Sequence, residues 1–269
     1  GLEVSITPSA TPLVTREAIE HLHQVGIHRL AISIDGVDAE AHDRVRGVSG
    51  SFARSLEILR DAREIGLPTQ VNTTITPDNL DSIDEMAEML AEWEIVLWSV
   101  FFLVPVGRAA EAARLSPLDY EQAFERLWNQ SRRQSYMIKT TEAPHYRRYS
   151  MMRERELPKS ERRPSPFQAT GINDGKGVMF VSHTGTLHPS GFMPISCGVF
   201  PMQHVVQTYQ ESPIFKGLRD ANQLEGKCRD CEYRTICGGS RARSYALTGN
   251  PYAEEPDCAY LPSAMLADS

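Results

Sequence analysis

The feature that most constrains how this chain folds is an alternation of short β-type runs with helical runs over residues 1–115. Residues 4–7, 29–35, 69–75 and 97–104 read as strands, and residues 15–25, 51–65 and 79–93 as the helices between them. Thr15 supplies the oxygen of a helix N-cap, Glu17 and Glu20 follow in the first turns, and Gly26 and Gly66 stand where two helices must stop. Strands joined by helices of this length take right-handed crossovers, so the pattern predicts an α/β fold with a parallel sheet or barrel. Ligands of such folds gather at the carboxyl ends of the strands. Those ends carry Ser33, Asp35, Asn72, Thr74 and residues 105–108. A further helix is predicted over residues 117–135, with Leu118, Phe124 and Leu127 on its apolar face.

Charge and hydropathy narrow the function classes. The 269 residues include 28 Lys and Arg against 35 Asp and Glu, a net charge of -7 that excludes a general nucleic-acid partner. No apolar run approaches the roughly 20 residues that span a bilayer, and the longest, residues 100–106, is strand-sized. No membrane partner is expected. The start of the chain lacks the basic and apolar segments of a signal peptide, so a cytoplasmic protein is expected. Gly1 and the strand-like opening also lead us to expect that upstream sequence is missing.

Residues 147–163 carry seven basic and three acidic residues with little apolar period. They read as a solvated or mobile segment, with a clamp for an acidic substrate as the second reading. Residues 177–189 then read as a β-hairpin with its turn at Thr184 and Gly185. The change of pattern places a boundary near residue 170, between an α/β body over 1–170 and a small α+β, cysteine-bearing unit over 171–269.

No cysteine precedes Cys197. Cys228, Cys231 and Cys237 follow as C-x2-C-x5-C, and Cys258 lies 21 residues further on, in a segment rich in charge and turn residues. Two cysteines on one tight turn aim both sulfurs at one centre, and a distant fourth completes the set. Disulfides are disfavoured in a chain of this size without an export signal. An iron–sulfur cluster is the favoured occupant, and a tetrahedral zinc site competes because four thiolates suit both. Cys197 stands apart and reads as a structural thiol.

Ser33-Ile34-Asp35-Gly36 ending a strand, followed by His42-Asp43-x-x-Arg46-Gly47 and Ser51-Phe52, resembles the fourth strand and following loop of radical S-adenosylmethionine (SAM) enzymes. The hairpin, the helix start Ser212-Pro213-x-Phe215 and the C-x2-C-x5-C segment resemble the auxiliary-cluster domain of that family, called SPASM or, when shortened, twitch. Together the two resemblances cover nearly the whole chain. They imply a partial radical SAM barrel with about four of the family's six strands, its third to sixth, followed by the auxiliary domain. The family's catalytic [4Fe-4S] cluster needs a C-x3-C-x2-C triplet, which this chain lacks. That cofactor is therefore expected only with an N-terminal region beyond this chain.

The auxiliary signature of the family continues to a further cysteine where this chain has Arg241, and Pro189-Ser190 stands where Pro-Cys is common. The resemblance thus implies one auxiliary [4Fe-4S] cluster, on Cys228, Cys231, Cys237 and Cys258. It also implies SAM contacts at Ser33, Asp35, Arg46 and Asn72. A guanidinium suits the SAM carboxylate, and hydroxyl and amide groups suit ribose. Strand-end capping and a surface ion pair are the plainer readings of the same residues. Arg108 and His145 are candidates for contact with substrate, against a helix-start ion pair and a helix-start histidine beside Pro144.

The function so implied is that of a radical SAM oxidoreductase or maturase. In that family an electron from the catalytic cluster cleaves SAM to methionine and a 5′-deoxyadenosyl radical, which takes hydrogen from a peptide or a tetrapyrrole side chain. An electron donor is the implied partner. Two other readings stay open: a non-catalytic binding fragment, and a zinc-stapled structural module.

Overall fold

A computed structural model describes residues 1–163 and 171–266, with the side chain of Arg108 also outside the description. The boundary expected near residue 170 therefore falls outside the described residues. The chain divides into two compact units, one of residues 1–102 and 125–141, the other of residues 103–124 and 142–269.

The first unit is built on five parallel strands in the order of the chain: β1 (Ser5–Ile6), β2 (Arg29–Ser33), β3 (Thr69–Ile75), β4 (Leu97–Phe102) and β5 (Met137–Thr141). Helices α1 (Arg16–Gln24), α2 (Ala39–Arg46), α3 (Ser51–Ile65) and α4 (Ile83–Ala91) supply the crossovers, and α5 (Pro117–Arg133) precedes β5. This is the α/β fold expected. Thr15 caps α1 by accepting from the Ala18 N–H at 3.2 Å, and Gly66 ends α3 in the left-handed conformation. The sheet has one strand more than expected, because Met137-Ile138-Lys139-Thr140-Thr141 is short and mostly polar and lacks the apolar run that marks the others.

Strand β3 alternates buried and half-buried residues along its length. Val71, Thr73 and Ile75 are buried on one face; Gln70, Asn72 and Thr74 lie on the other. Register places Ser33 beside Asn72, Asn72 beside Ser99, and Ser99 beside Lys139, so that second face carries a polar row. An alternating pattern of this kind is what a strand with two unlike faces requires.

The loop after β2 is held by its own motif. His42 is fully buried, and its Nδ1 accepts from the Asp35 N–H at 3.0 Å. Its Nε2–H then faces the Ser51 Oγ at 3.2 Å. Asp43 accepts from the Gly50 and Phe52 N–H groups at 2.6 and 2.8 Å, which caps α3 and holds the carboxyl below its ordinary range. Gly36 passes close beneath α2: a Cβ there would lie 2.6 Å from the Ala41 Cβ and 2.7 Å from the His42 nitrogen. Gly36→Ala is expected to cost about 1–3 kcal/mol, because the clash is with backbone that cannot rotate aside. A urea unfolding midpoint equal to that of the wild type would show the contact to be slack.

The second unit holds α6 (His145–Glu156) and a three-stranded antiparallel sheet of β6 (Phe180–Val181), β7 (Thr186–His188) and β8 (Gly198–Val199). Five short helices follow: α7 (Val205–Glu211), α8 (Pro213–Arg219), α9 (Gly226–Asp230), α10 (Arg241–Thr248) and α11 (Ser263–Leu266). The expected hairpin is β6–β7, with Gly185 at φ +82° in its turn. Val104, Met193, Leu218 and Ala242 form an apolar core in this unit.

Residues 147–163 correct the expectation of a solvated or mobile segment. Most of them belong to α6, which buries His145, Tyr146, Arg148, Ser150 and Glu154. Their charges find partners distant in sequence. Arg148 pairs with Glu121 and stacks 4.9 Å above the Tyr260 ring, Arg155 lies over Tyr233, and Arg147 donates to the Ile236 carbonyl. Among the described residues no helix is long and apolar enough to cross a membrane.

Candidate functional site

The four clustered cysteines line one cavity in the second unit. Cys228 lies in α9, Cys231 is its C-cap, and Cys237 ends the turn that follows. Gly238 and Gly239 then take φ values of +68° and +66°, which bring the Gly239 N–H back to the Cys237 Sγ at 3.4 Å. A Cβ on Gly239 would sit 2.6 Å from that of Glu255, so the turn closes only with glycine. Asn173 clamps it by donating to the Cys237 and Gly239 carbonyls, and Lys227 Nζ donates to the Cys258 carbonyl at 2.6 Å.

Two of the four sulfurs receive a backbone N–H: Glu255 donates to Cys228 at 3.3 Å and Gly239 to Cys237 at 3.4 Å. Burial nevertheless pushes all four thiols up, Cys258 to about 11 and Cys237 furthest, where the other three cysteines add to the effect. Free thiols in this cavity therefore stay protonated at neutral pH. Ionising them together requires positive charge among them, which a metal centre brings.

The donor set fits an iron–sulfur cluster by its chemistry, four thiols around one space with N–H···S bonds already made at Cys228 and Cys237. Four thiols also suit a tetrahedral zinc ion. Cys197 is not in the cavity wall; its Sγ lies 3.7 Å from the Ile195 carbonyl. His145, by contrast, is in that wall, fully buried, with burial holding its imidazole down at about 3. Arg108 lies in a single 3-10 turn, Gly107–Ala109.

In the first unit, Asp35 is 2% exposed and already committed. It accepts from the Thr74 N–H at 2.7 Å and pairs with Arg46 at 2.6 Å. Asp35 thus aims the Arg46 guanidinium, which keeps about a third of its surface open. Ser33 and Asn72 sit side by side in register, both half-buried, with Gln70 donating to the Asn72 side-chain oxygen at 2.6 Å.

Residues 1–90 match the family model described as "Radical SAM superfamily". The chain is 38% identical over 267 residues to an AdoMet-dependent heme synthase of Methanosarcina barkeri, covering 97% of this chain and 76% of that protein. The chain belongs to the radical SAM superfamily. A second AdoMet-dependent heme synthase, from Nitratidesulfovibrio vulgaris, is 36% identical over 98% of this radical SAM chain and 73% of its own length. A PqqA peptide cyclase of Bradyrhizobium diazoefficiens is 26% identical over 97% and 67%. Among solved structures, Streptococcus suis SuiB bound to S-adenosylmethionine superposes with a TM-score of 0.71 at 18% identity, a likeness of fold. This radical SAM chain covers 96% of itself and 60% of SuiB in that match, so it spans less than two thirds of that solved chain.

The structure also gives reasons for the two departures from the family signature. Arg241 is 1% exposed, and its guanidinium ties the Gly239 carbonyl to those of Pro251 and Ala253. It is a strut where a further cysteine would stand. Ser190 is buried and accepts from the Phe192 N–H at 3.3 Å. The sequence reading missed a third feature of this radical SAM chain, a buried ionic knot beside the cavity. Arg243 is 0% exposed, donates to both Glu255 oxygens at 3.1 and 3.2 Å, lies 3.3 Å from Asp257, and donates to the Leu103 and Glu142 carbonyls. A basic helix start in a cysteine-rich segment was the only signal for it.

Proposed function

We propose that this chain holds one auxiliary [4Fe-4S] cluster on Cys228, Cys231, Cys237 and Cys258, and serves a radical SAM oxidoreductase acting on a tetrapyrrole side chain. The observation that carries the cluster assignment is the gathering of the four cysteines around one cavity, with backbone N–H groups donated to the Cys228 and Cys237 sulfurs. When bound, the cluster would supply one-electron chemistry, accepting the electron left on the product and passing it on to an oxidising partner. The tetrapyrrole class is supported by the likeness to two heme synthases at 36–38% identity, against 26% for the peptide cyclase.

The chain's own residues then divide the work. Residues 171–269 form the auxiliary-cluster domain and residues 1–170 the partial barrel. In the barrel Arg46, aimed by Asp35, grips the SAM carboxylate, while Ser33 and Asn72 offer hydroxyl and amide groups to its ribose. Arg108 is assigned to a substrate carboxylate. No cysteine before Cys197 is available as ligand to the superfamily's catalytic cluster, so radical generation is not assigned to these residues. A cytoplasmic location is part of this reading, and five free cysteines suit the reducing conditions there.

The test is anaerobic reconstitution, followed by an iron, sulfide and zinc count and a titration with an iron porphyrin bearing propionates. About four irons and four sulfides per chain, with a saturable shift of the porphyrin absorbance, is the expected result. One zinc without reconstitutable iron would reduce the unit to a structural module. Iron uptake without porphyrin binding would return the substrate to the peptide class.

A further inference from the structure

Among the described residues both ring nitrogens of His145 are buried without a hydrogen-bond partner. The ring sits between Tyr120 and Phe124, with centroids 5.0 and 4.8 Å away, a cage that phenylalanine would fill as well. Every tautomer of imidazole carries a ring N–H, and burying one with no acceptor is costly. The same ring lines the cavity of the four cysteines. Arg148, on the next turn of α6, lines it too, but its guanidinium is already engaged by Glu121.

We propose that His145 is a positioning residue for the cluster, its ring N–H donating to a sulfide or thiolate sulfur of the group held by Cys228, Cys231, Cys237 and Cys258. This rests on reading those cysteines as a cluster site. A donor to sulfur stabilises the more negative, reduced cluster, so His145 raises the reduction potential. It thereby favours acceptance of an electron.

The full chain and its His145→Phe and His145→Gln variants are reconstituted anaerobically, their iron counted, and their midpoint potentials determined by spectroelectrochemical titration. All three are expected to hold about four irons. The His145→Phe cluster is expected to be about tenfold harder to reduce, a shift of about 59 mV to more negative potential for one electron, and Gln, which restores an N–H, to recover part of it. Equal potentials in wild type and His145→Phe overturn the inference. So does loss of iron from a folded His145→Phe, which would make the histidine a ligand. A wild type that takes up no iron sinks the cluster reading and this inference with it.

Pulsed electron paramagnetic resonance of the reduced wild type, with ring-nitrogen-labelled histidine, tests the same contact without a variant. A weak nitrogen coupling, as through a hydrogen bond, is expected. No coupling, or the strong coupling of a bound nitrogen, overturns the assignment.

Discussion

Changing Cys228 and Cys231 together to alanine is expected to bring the iron and sulfide of the reconstituted chain from about four of each to less than one. The pair lies on α9 and its C-cap, so the double change removes half of the thiolate set from one turn. It leaves Cys237 and Cys258 as the two remaining thiols in the cavity wall, half of the set that a four-iron cluster takes. Thermal stability of the second unit is expected to fall as well, because binding energy spent on a folded ligand set is folding energy. Cys197→Ala is the control, since Cys197 is outside the cavity wall. Equal iron retention in the double variant and the control would show that the bound metal sits elsewhere.

Arg243→Met is expected to lower the unfolding free energy by about 3–5 kcal/mol, the usual result of leaving a buried charge without its partner. Methionine keeps much of the side-chain volume, so the loss is electrostatic rather than a cavity. Glu255 and Asp257 are 1% and 4% exposed; Asp257 keeps a paired cation, Arg114 at 3.0 Å, and Glu255 only the weaker influence of Arg241. The pH dependence separates this cause from simple misfit. In the wild type, burial pushes the Glu255 carboxyl up, but Arg243 foremost, together with His145, Arg241 and the Ser240 N–H, holds the group below its ordinary value. Its contribution to stability is therefore present above the unfolded value and lost as pH falls through the folded one.

In the variant burial acts on Glu255 without Arg243, the folded pKa rises, and acid stabilises the folded state. Asp257 is already raised by burial in the wild type and moves further the same way. The stability gap between wild type and Arg243→Met is thus expected to narrow between about pH 8 and pH 5 in urea titrations. A gap independent of pH would assign the loss to packing. Because the Glu255 N–H donates to Cys228 and Asp257 precedes Cys258, the variant is also expected to hold iron less firmly.

Much of this protein was legible along the chain because the determining interactions are local. The strand and helix periods, the cap at Thr15 and the glycine stops act within a few residues, and they yielded the parallel α/β unit. The C-x2-C-x5-C spacing likewise confines three sulfurs to one turn. Strand β5 escaped notice because Lys139, Thr140 and Thr141 make most of it polar, so its place is set by register with β4 and not by an apolar run. Asp35 read as a ligand contact, whereas the fold turns it toward Arg46 and Thr74, two partners that a strand-end position alone does not reveal.

Tertiary structure decided the rest. The basic run over residues 147–163 reads as solvated because its counter-charges and aromatic partners, Glu121, Tyr233 and Tyr260, lie tens of residues away in sequence. His145 reads as a helix start, and only packing shows that its ring is enclosed, without a partner, in the wall of the cysteine cavity. By itself the sequence determined four of the five parallel strands and the helices between them, the resemblance to the superfamily and the number of thiols. Which charges are buried, which are paired and which donors face the sulfurs were decided by folding, because burial and pairing depend on groups that meet only when distant segments pack.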